Sequence, residues 1–296
     1  MVEIPLIVSI PPRLSRRDAK GTEVGEQYQS RCIDSWLACG FSPYSINSKA
    51  EVPRLKHLPG VTVIATDQDG LDVAAKPFVF LSDVLAKAKE LTSDVVALTN
   101  ADILFDADAD AFDALREIEP GHCVLGRRHG TATLDSQDEH FGQYQHGYDF
   151  FAFHTRDIKC LSASRFMLGA PWWDHFLPVD MALNGIQFTS LPDNSLAHLE
   201  HEERWNQELW IFLGRLFIKA VLELQVSAQS YSSRAVQRYL HAVSQLGNGG
   251  PRTLLKYFLR HPKKSLRTRG TIESMLTDLS NLNLNLIEEL HYRDIR

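Results

Sequence analysis

The sequence has few cysteines, and they are not arranged to bind zinc or to form a disulfide framework. Its four cysteines, Cys32, Cys39, Cys123 and Cys160, are scattered, and no two of them form a C-x-x-C pair. Isolated cysteines of this kind are typical of reduced thiols in a cytosolic protein. We therefore expect a cytoplasmic protein without structural disulfides.

Long hydrophobic runs are missing as well. No stretch approaches the roughly 18 uncharged apolar residues that a membrane-spanning helix needs. Glu3 stands where a signal peptide carries basic residues, and the apolar run at residues 4–8 is soon broken by Pro11 and Pro12. The sequence therefore predicts neither a signal peptide nor a transmembrane helix.

The net charge of −6 and the pI near 6.1 give no reason to expect nucleic-acid binding. Residues 247–270 depart from this average with seven basic side chains and no acidic one, which leaves −13 for the rest of the chain. Apolar residues interleave these charges. Segment 252–269 could thus contact an anionic membrane at its inner face, or form a helix packed on the core with a solvated basic face. The seven basic residues are Arg252, Lys256, Arg260, Lys263, Lys264, Arg267 and Arg269.

Apolar, β-branched runs alternate with helical spacing through the first two-thirds of the chain. Such runs occupy residues 4–10, 61–65 and 95–99, and apolar residues at helical spacing cover 27–39 and 78–91. This alternation predicts an α/β fold with a mostly parallel sheet covered by helices on both faces. Further strands are expected at 44–47, 122–125, 148–153 and 186–191.

The remaining segments define the expected domains. Residues 127–147 are polar and predict a long loop, and long loops in compact domains are often functional. A helix is expected after Trp172 and Trp173, and from residue 205 onward the pattern is helical, with a linker at 247–251. We predict an α/β domain at 1–205 and a helical extension at 206–296.

The stretch "VVALTNADILF", at residues 95–105, places an amide and a carboxylate just past a buried strand. Ligands of parallel α/β sheets bind beyond the carboxyl ends of the strands, so Asn100 and Asp102 are expected in that crevice. Oxygen ligands spaced in this way suit Mg²⁺ or Mn²⁺ carrying phosphate groups. The alternative is that the two residues only cap the turn or helix that follows.

The order of these elements, with Asn100-Ala101-Asp102 after the fourth strand, resembles the GT-A class of nucleotide-sugar-dependent glycosyltransferases over residues 4–205. The resemblance implies a GT-A sheet sandwiched by helices, to which the C-terminal helical extension is added. It also implies the reaction. A sugar would pass from a nucleotide-diphosphate donor to a hydroxyl of a glycan or glycolipid acceptor, for example in surface polysaccharide or glycoconjugate synthesis, with Mn²⁺ or Mg²⁺ as the cofactor.

The resemblance also assigns roles to residues of the sheet edge. In that family a D-x-D motif holds the metal and the diphosphate, and here Asn100 replaces its first acid. Asp102 is the implied metal ligand, and Asn100, a weaker and neutral ligand, would touch the ribose, the metal or a metal-bound water. The exit of the first strand and a later acidic turn hold the base and ribose. In this chain those positions are Ser9, Pro11, Arg13 and Asp67.

A late histidine often adds a metal ligand in the family, and this chain offers His198 and His201. On a helix the two side chains would share a face; on an extended segment they would point apart and one would coordinate. His198 is preferred because it lies nearer to the preceding strand. A solvated, charged stretch that leads into the next helix is the plain alternative.

Three further acids and two tryptophans are candidates for the sugar and acceptor sites. Asp149 lies at the start of an aromatic strand and is implied to bind hydroxyls of the donor sugar or of the acceptor at the catalytic site, unless it is a paired structural acid. One of Trp172 and Trp173 is expected to stack on a sugar ring while the other packs. Asp174 is the implied base for the acceptor hydroxyl, with Asp180 second and a helix-start role as the alternative.

Basic residues could neutralise the leaving diphosphate. Arg127, followed by Arg128 and His129, comes after a strand, and Lys76 precedes Pro77 near a helix start. Ordinary surface charge is the alternative for each. Arg13, Arg16 and Arg17 in the first loop fit either phosphate contact or a solvated loop.

Other classes compete with the glycosyltransferase. A sugar nucleotidyltransferase needs a G-G-x-G-x-R loop after the first strand, and residues 9–13, SIPPR, contain no glycine. A different metal-dependent enzyme could use Asp102 and His198. A catalytically inactive binding module of the same fold is the third alternative, because Asn100 removes one carboxylate. We favour the glycosyltransferase.

Overall fold

The computed structural model describes residues 3–18, 20–55, 58–106, 110–132, 140–201, 206–224, 226–247 and 268–291. The chain divides into two compact units. The first comprises Met1–Ala170 and Phe188–Arg204, and the second comprises Pro171–Gln187 and Trp205–Arg296. Residues 171–187, which we expected in the first domain, therefore cluster with the C-terminal helices.

A seven-stranded sheet forms the centre of the first unit, in the order β10-β6-β9-β4-β1-β2-β3. The pairs β1–β2, β2–β3 and β1–β4 are parallel, whereas β9 runs antiparallel to β4 and β6. The mostly parallel α/β sheet is therefore confirmed. Its strands are β1 (Ile4–Val8), β2 (Phe41–Ser48), β3 (Thr62–Thr66), β4 (Val95–Thr99), β6 (His122–Gly126), β9 (Phe150–His154) and β10 (Gln187–Ser190).

A second sheet of four short strands, in the order β5-β11-β7-β8, also belongs to the first unit. β11 pairs antiparallel with β5 and parallel with β7, and β7 pairs antiparallel with β8. The predicted long loop at 127–147 is therefore wrong in part, because β7 and β8 lie within it. The strands are β5 (Leu104–Phe105), β7 (His129–Thr131), β8 (His140–Gln143) and β11 (Leu196–Leu199).

Helices of the first unit pack on the central sheet through one apolar face. Tyr28, Cys32 and Trp36, four residues apart, are buried on the first helix, as are Val84 and Ala88 on the third. The three side chains of the first helix belong to the same buried cluster as side chains of the fully buried strands β1 and β4. The helices are α1 (Gly25–Ala38), α2 (Leu71–Ala74), α3 (Leu81–Glu90) and α4 (Asp110–Asp113), with 3₁₀ turns at Val52–Arg54, Ala114–Glu117 and Thr155–Cys160.

The second unit is helical. Its core contains Phe176, Phe217 and Leu276, and Asn206 caps the first turn of the second helix by accepting a hydrogen bond from the Glu208 amide. Its helices are α5 (Trp173–Leu183), α6 (Gln207–Glu223), α7 (Ala228–Tyr231), α8 (Arg234–Gly247) and α9 (Thr268–Glu289). In the part of the chain described here, no helix combines the length and apolarity needed to cross a membrane. Of the segment 252–269, predicted to contact a membrane, residues 252–267 lie outside the described residues.

Candidate metal centre

Asp102 is placed by the helix that packs behind it. It follows β4 by three residues, at the carboxyl edge of the parallel strands. The Tyr28 hydroxyl donates to the Asp102 carbonyl over 2.7 Å, and the indole Nε1 of Trp36 donates to the Ile103 carbonyl over 2.8 Å. Two buried side chains of α1 thereby fix the backbone around Asp102.

The second sheet brings the histidine segment to the same place. Leu196 and Ala197 pair with the β5 strand that directly follows Asp102, and the Asp106 amide donates to the Ser195 carbonyl over 2.9 Å. The Leu199 amide donates to the hydroxyl of Tyr28 over 2.8 Å. The Tyr28 hydroxyl therefore joins the Asp102 segment to β11. Burial raises the pKa of this phenol well above its usual value, so it stays protonated and can donate.

Both histidines face the carboxylate of Asp102. Nε2 of His198 lies 3.3 Å from Oδ2 of Asp102, and Nε2 of His201 lies 4.0 Å from the same oxygen. The three ligand atoms of these residues all lie within 4.8 Å of one another. On a fully extended segment the two side chains would point apart. β11 ends at Leu199, so His201 no longer follows the alternation of the strand, and both imidazoles approach Asp102.

Arg16 completes the surroundings of Asp102. Its Nη2 donates to Oδ2 of Asp102, and the side chains of Arg16 and Asp102 are only 10% and 17% exposed. Burial would raise the pKa of Asp102, but the hydrogen bond and charge of His198 and the guanidinium of Arg16 outweigh it and hold this pKa well below its usual range. Asp102 is therefore a carboxylate, which is the form that binds a metal.

A second network of polar side chains connects Asn100 to Asp149. Nδ2 of Asn100 donates to Oδ1 of Asp149 over 3.0 Å, and Nη1 of Arg128 donates to the same oxygen. Asp149 is 2% exposed, so it is a buried acid whose charge Arg128 balances. Oδ1 of Asn100 and Oδ2 of Asp149 are buried and have no hydrogen-bond partner in the described part of the chain.

The guanidinium of Arg128 is held on two sides. It lies over the ring of Tyr144, with Cζ 4.1 Å from the ring centroid, and it forms an ion pair with Asp149. Burial would lower the pKa of Arg128, but the carboxylates of Asp149 and Asp102 raise it above its usual value. The neighbouring Arg127 donates to the hydroxyl of Tyr148 over 3.0 Å. Arg128 is thus committed to Asp149.

The residues predicted to hold the base and ribose lie along the ends of the first three strands. Ser9 and Pro11 flank Ile10, whose amide donates to Ser45 Oγ over 2.9 Å and whose carbonyl accepts from Asn47 Nδ2 over 2.8 Å. The loop is therefore tied to the end of β2. The two charged candidates of this group, Arg13 and Asp67, are exposed, and Asp67 is ion-paired with Lys49. Lys76, a predicted contact of the diphosphate, is exposed as well.

The candidates for the sugar-stacking and base roles belong to the second unit. Trp172 and Trp173 are both 2% exposed, so the expectation that only one of them would be buried is wrong. Trp172 precedes α5 with a φ of +75° and packs against Trp210 and Phe217, and its Nε1 donates to the Trp210 carbonyl over 2.9 Å. Because both indole rings are buried, either ring could stack on a sugar only if the side chains around it moved away.

The two acids of α5 differ in their surroundings. Asp180 is 2% exposed and accepts a hydrogen bond from Asn184 Nδ2 over 3.1 Å. Asp174, in the first turn of the helix, is half-buried. The predicted base role, for which Asp174 is preferred, stays a prediction for both.

Sequence reasoning missed Tyr28 and did not distinguish Arg16 from its neighbours. A signal for Tyr28 exists, because a tyrosine on a buried helix face must find a partner for its hydroxyl. No sequence signal singles out Arg16, since its position depends on how the first loop folds.

Similarity to known proteins is confined to structure. No protein-family model and no curated protein matches the sequence. The chain is similar to a mannosyltransferase from Pyrobaculum calidifontis in complex with GDP-Man and Mn²⁺, with 14% identity, a TM-score of 0.48 and coverage of 95% of this chain and 87% of that one. It is also similar to the inositol-1-phosphate CTP transferase from T. maritima, with 10% identity, a TM-score of 0.42 and coverage of 77% and 99%. It is similar as well to a nucleotidyl transferase from Methanothermobacter thermautotroptrophicus, with 13% identity, a TM-score of 0.36 and coverage of 74% of this chain and 100% of that one.

Proposed function

We propose that this protein is a metal-dependent glycosyltransferase that uses a nucleotide-diphosphate sugar as its donor. The observation that carries the proposal is the convergence of Asp102, His198 and His201 at the carboxyl edge of a mostly parallel sheet. Ligands of such sheets bind at that edge. A metal held there by one carboxylate and two imidazoles would lie where a nucleotide diphosphate can reach it.

The three metal-binding side chains fit a divalent transition metal. Two imidazole nitrogens with one carboxylate oxygen favour Mn²⁺ or Zn²⁺ over Mg²⁺, which prefers oxygen ligands. Asp102, His198 and His201 would hold the ion. When bound, the metal supplies positive charge for the diphosphate that departs from the sugar.

Neighbouring residues of the first unit would orient the donor. The buried oxygens Asn100 Oδ1 and Asp149 Oδ2 accept no hydrogen bond from any of the described residues, so hydroxyl groups of the ribose or the sugar would satisfy both. This supports the predicted contacts of Asn100 and Asp149 with the ligand. Arg127 and Lys76 stay predicted contacts of the diphosphate, and Ser9, Pro11, Arg13 and Asp67 stay predicted contacts of the nucleoside.

The acceptor base is proposed to be Asp174. Asp180 is the weaker candidate because it is buried and already bound by Asn184. Replacement of Asp174 by Asn keeps the size of the side chain and removes the base. We expect this variant to bind the donor normally and to transfer sugar at least about 100-fold more slowly. An equal loss in Asp180→Asn and none in Asp174→Asn would move the role to Asp180.

Calorimetric titration with UDP-, GDP- and other nucleotide sugars, with and without Mn²⁺, tests the donor site. We expect binding of one of them to strengthen with Mn²⁺, and Asp102→Ala to abolish this strengthening. Asp94→Ala, at a residue whose side chain is 88% exposed, is the matched control and should change nothing. If no nucleotide sugar binds, the glycosyltransferase proposal fails. Binding unaffected by Asp102→Ala would place the site elsewhere.

The same three metal-binding side chains also favour one alternative, which is another metal-dependent enzyme on the same fold. Two histidines and one carboxylate are the ligands of non-haem iron enzymes. Tight Fe²⁺ or Mn²⁺ binding without binding of any nucleotide sugar would support this alternative. Nucleotide-sugar binding without turnover on any acceptor would instead support an inactive binding module.

A further inference from the structure

Arg16 occupies the side of Asp102 that a metal would need. Its Nη2 donates to Oδ2 of Asp102, which is the oxygen that His198 Nε2 and His201 Nε2 approach at 3.3 and 4.0 Å. A divalent ion bound between that oxygen and the two imidazoles would lie beside the guanidinium. The two positive charges would repel each other and compete for Oδ2.

The backbone that carries Arg16 is held in place. The Arg16 amide donates to Glu23 Oε1 over 2.8 Å, and the Val24 amide donates to the Arg16 carbonyl over 2.8 Å. Just beyond, the loop lies against the start of α1, where a Cβ on Gly25 would be 2.0 Å from the Leu14 carbonyl oxygen. The backbone of the loop is therefore held in place. If Asp102 bound another group, only the Arg16 side chain would have to move.

The guanidinium has few other bonds. Nη1 donates to the Ser15 carbonyl over 2.9 Å, and the buried Nε has no hydrogen-bond partner in the described part of the chain. The ion pair with Asp102 is thus the main interaction that keeps this side chain among the metal ligands. Rotation of the side chain would release Asp102 without movement of the loop.

We propose that Arg16 is an internal counter-cation of the metal site. It neutralises Asp102, and its charge opposes the binding of a divalent cation at Oδ2 unless the guanidinium moves away. The proposal rests on the proposed function for its second part. The guanidinium can then bind the diphosphate oxygens of the donor. Their negative charge offsets the repulsion between the metal ion and Arg16. Metal and nucleotide diphosphate therefore bind cooperatively, and each raises the affinity for the other by the same factor.

The experiment compares Mn²⁺ binding by calorimetry in the wild type and in Arg16→Gln, first without nucleotide and then with GDP or UDP. We expect Arg16→Gln to bind Mn²⁺ alone at least about tenfold more tightly than the wild type, because no cation has to be displaced. We also expect the cooperativity between Mn²⁺ and the nucleotide diphosphate to fall by about tenfold or more in this variant. Arg156→Gln changes an exposed arginine of the 3₁₀ turn Thr155–Cys160, to which no role is assigned, and should reproduce the wild type.

Arg16→Lys tests whether the positive charge or the shape of the guanidinium matters. It is also the second variant to measure if Arg16→Gln does not fold. It keeps the cation, so it should bind Mn²⁺ as weakly as the wild type. Circular dichroism and thermal unfolding without metal establish that each variant is folded. A Mn²⁺ affinity in Arg16→Gln equal to or below that of the wild type would overturn the role of Arg16. If Asp102→Asn abolished Mn²⁺ binding at the same time, the metal site itself would stand. If Asp102→Asn left Mn²⁺ binding intact, the proposed metal site would fail as well.

Discussion

At the scale of single residues, the amide at position 100 is explained by its neighbour. Oδ1 of Asp149 accepts from both Asn100 and Arg128, so a second carboxylate at position 100 would meet a buried carboxylate at about the distance of a hydrogen bond. The acid missing from the expected D-x-D pattern is thus replaced by a donor that holds Asp149 in place.

Asn100→Asp should therefore be destabilising, with a loss of about 2 kcal/mol in the free energy of unfolding, because Arg128 would have to balance two buried carboxylates. Asp149→Asn should also be destabilising, since it leaves the charge of Arg128 without its partner. The double variant Asn100→Asp, Asp149→Asn restores one acid and one amide, and should recover most of the loss. Urea unfolding of the four proteins measures the coupling. Additive losses would contradict the described pair.

Tyr28 offers a second test at this scale. Tyr28→Phe removes the hydrogen bonds to the Asp102 carbonyl and from the Leu199 amide, both inside the core. We expect the free energy of unfolding to fall by about 2 kcal/mol and Mn²⁺ affinity to fall with it, because the ligand segments lose their link. Tyr231→Phe, at a residue that is 59% exposed, is the control. Unchanged Mn²⁺ affinity in a destabilised Tyr28→Phe would show that the link is structural only.

The metal-binding residues of the site can be predicted from the sequence, but their neighbours cannot. Asp102, His198 and His201 carry metal-binding groups and could be named from their types and order. Arg16 could not be chosen among Arg13, Arg16 and Arg17, because the choice depends on the contact of the loop with Glu23. The pairing of Asn100 with Asp149 joins residues 49 positions apart, which no local pattern encodes.

At the scale of elements, predictability follows burial. Strands β1 and β4 are buried on both faces, and their continuous apolar runs were recognised as strands. Strands β7 and β8 are polar and rich in glycine and histidine, and no alternation of apolar residues marks them. β7 pairs with both β8 and β11, and this pairing, which defines the two strands, is not visible along the sequence.

The junction between the two sheets of the first unit gives a prediction for elements. A Cβ on Gly126, at the end of β6, would lie 2.5 Å from Leu196 Cδ1 and 3.0 Å from Phe150 Cβ. Gly126→Ala should therefore displace β11, lower the free energy of unfolding by about 1–3 kcal/mol and weaken Mn²⁺ binding through His198. Gly142→Ala, where a Cβ meets nothing within 4 Å, is the control. Normal metal affinity in Gly126→Ala would mean that the site tolerates movement of β11.

At the scale of the whole molecule, the chain combines an α/β unit with a helical one. The sequence predicts both kinds of structure, but residues 171–187 cluster with the C-terminal helices although they lead directly into β10 of the first unit. Their assignment depends on packing between segments distant in sequence. A change of helical pattern near residue 205 could reveal the second unit but not this earlier part of it.

The packing of the helical unit can be tested at one position. A Cβ on Gly214 of α6 would lie 2.8 Å from Leu276 Cδ1 and 2.9 Å from Trp172 Cζ2. Although alanine favours a helix over glycine, Gly214→Ala should lower the free energy of unfolding by about 1–3 kcal/mol, because the rigid indole cannot give way. Chemical denaturation followed by tryptophan fluorescence measures the change. A stabilised variant would contradict the described contact.

The hydroxyl of Tyr28 also has a consequence for the order of events during synthesis. It joins positions separated by 74 and 171 residues, so this link is completed only after β11 has been made and has docked. A nascent chain that ends before residue 196 would already contain β1 to β4 and Asp102 but would lack both histidines. Metal capture would therefore mark the end of folding of this unit rather than its beginning.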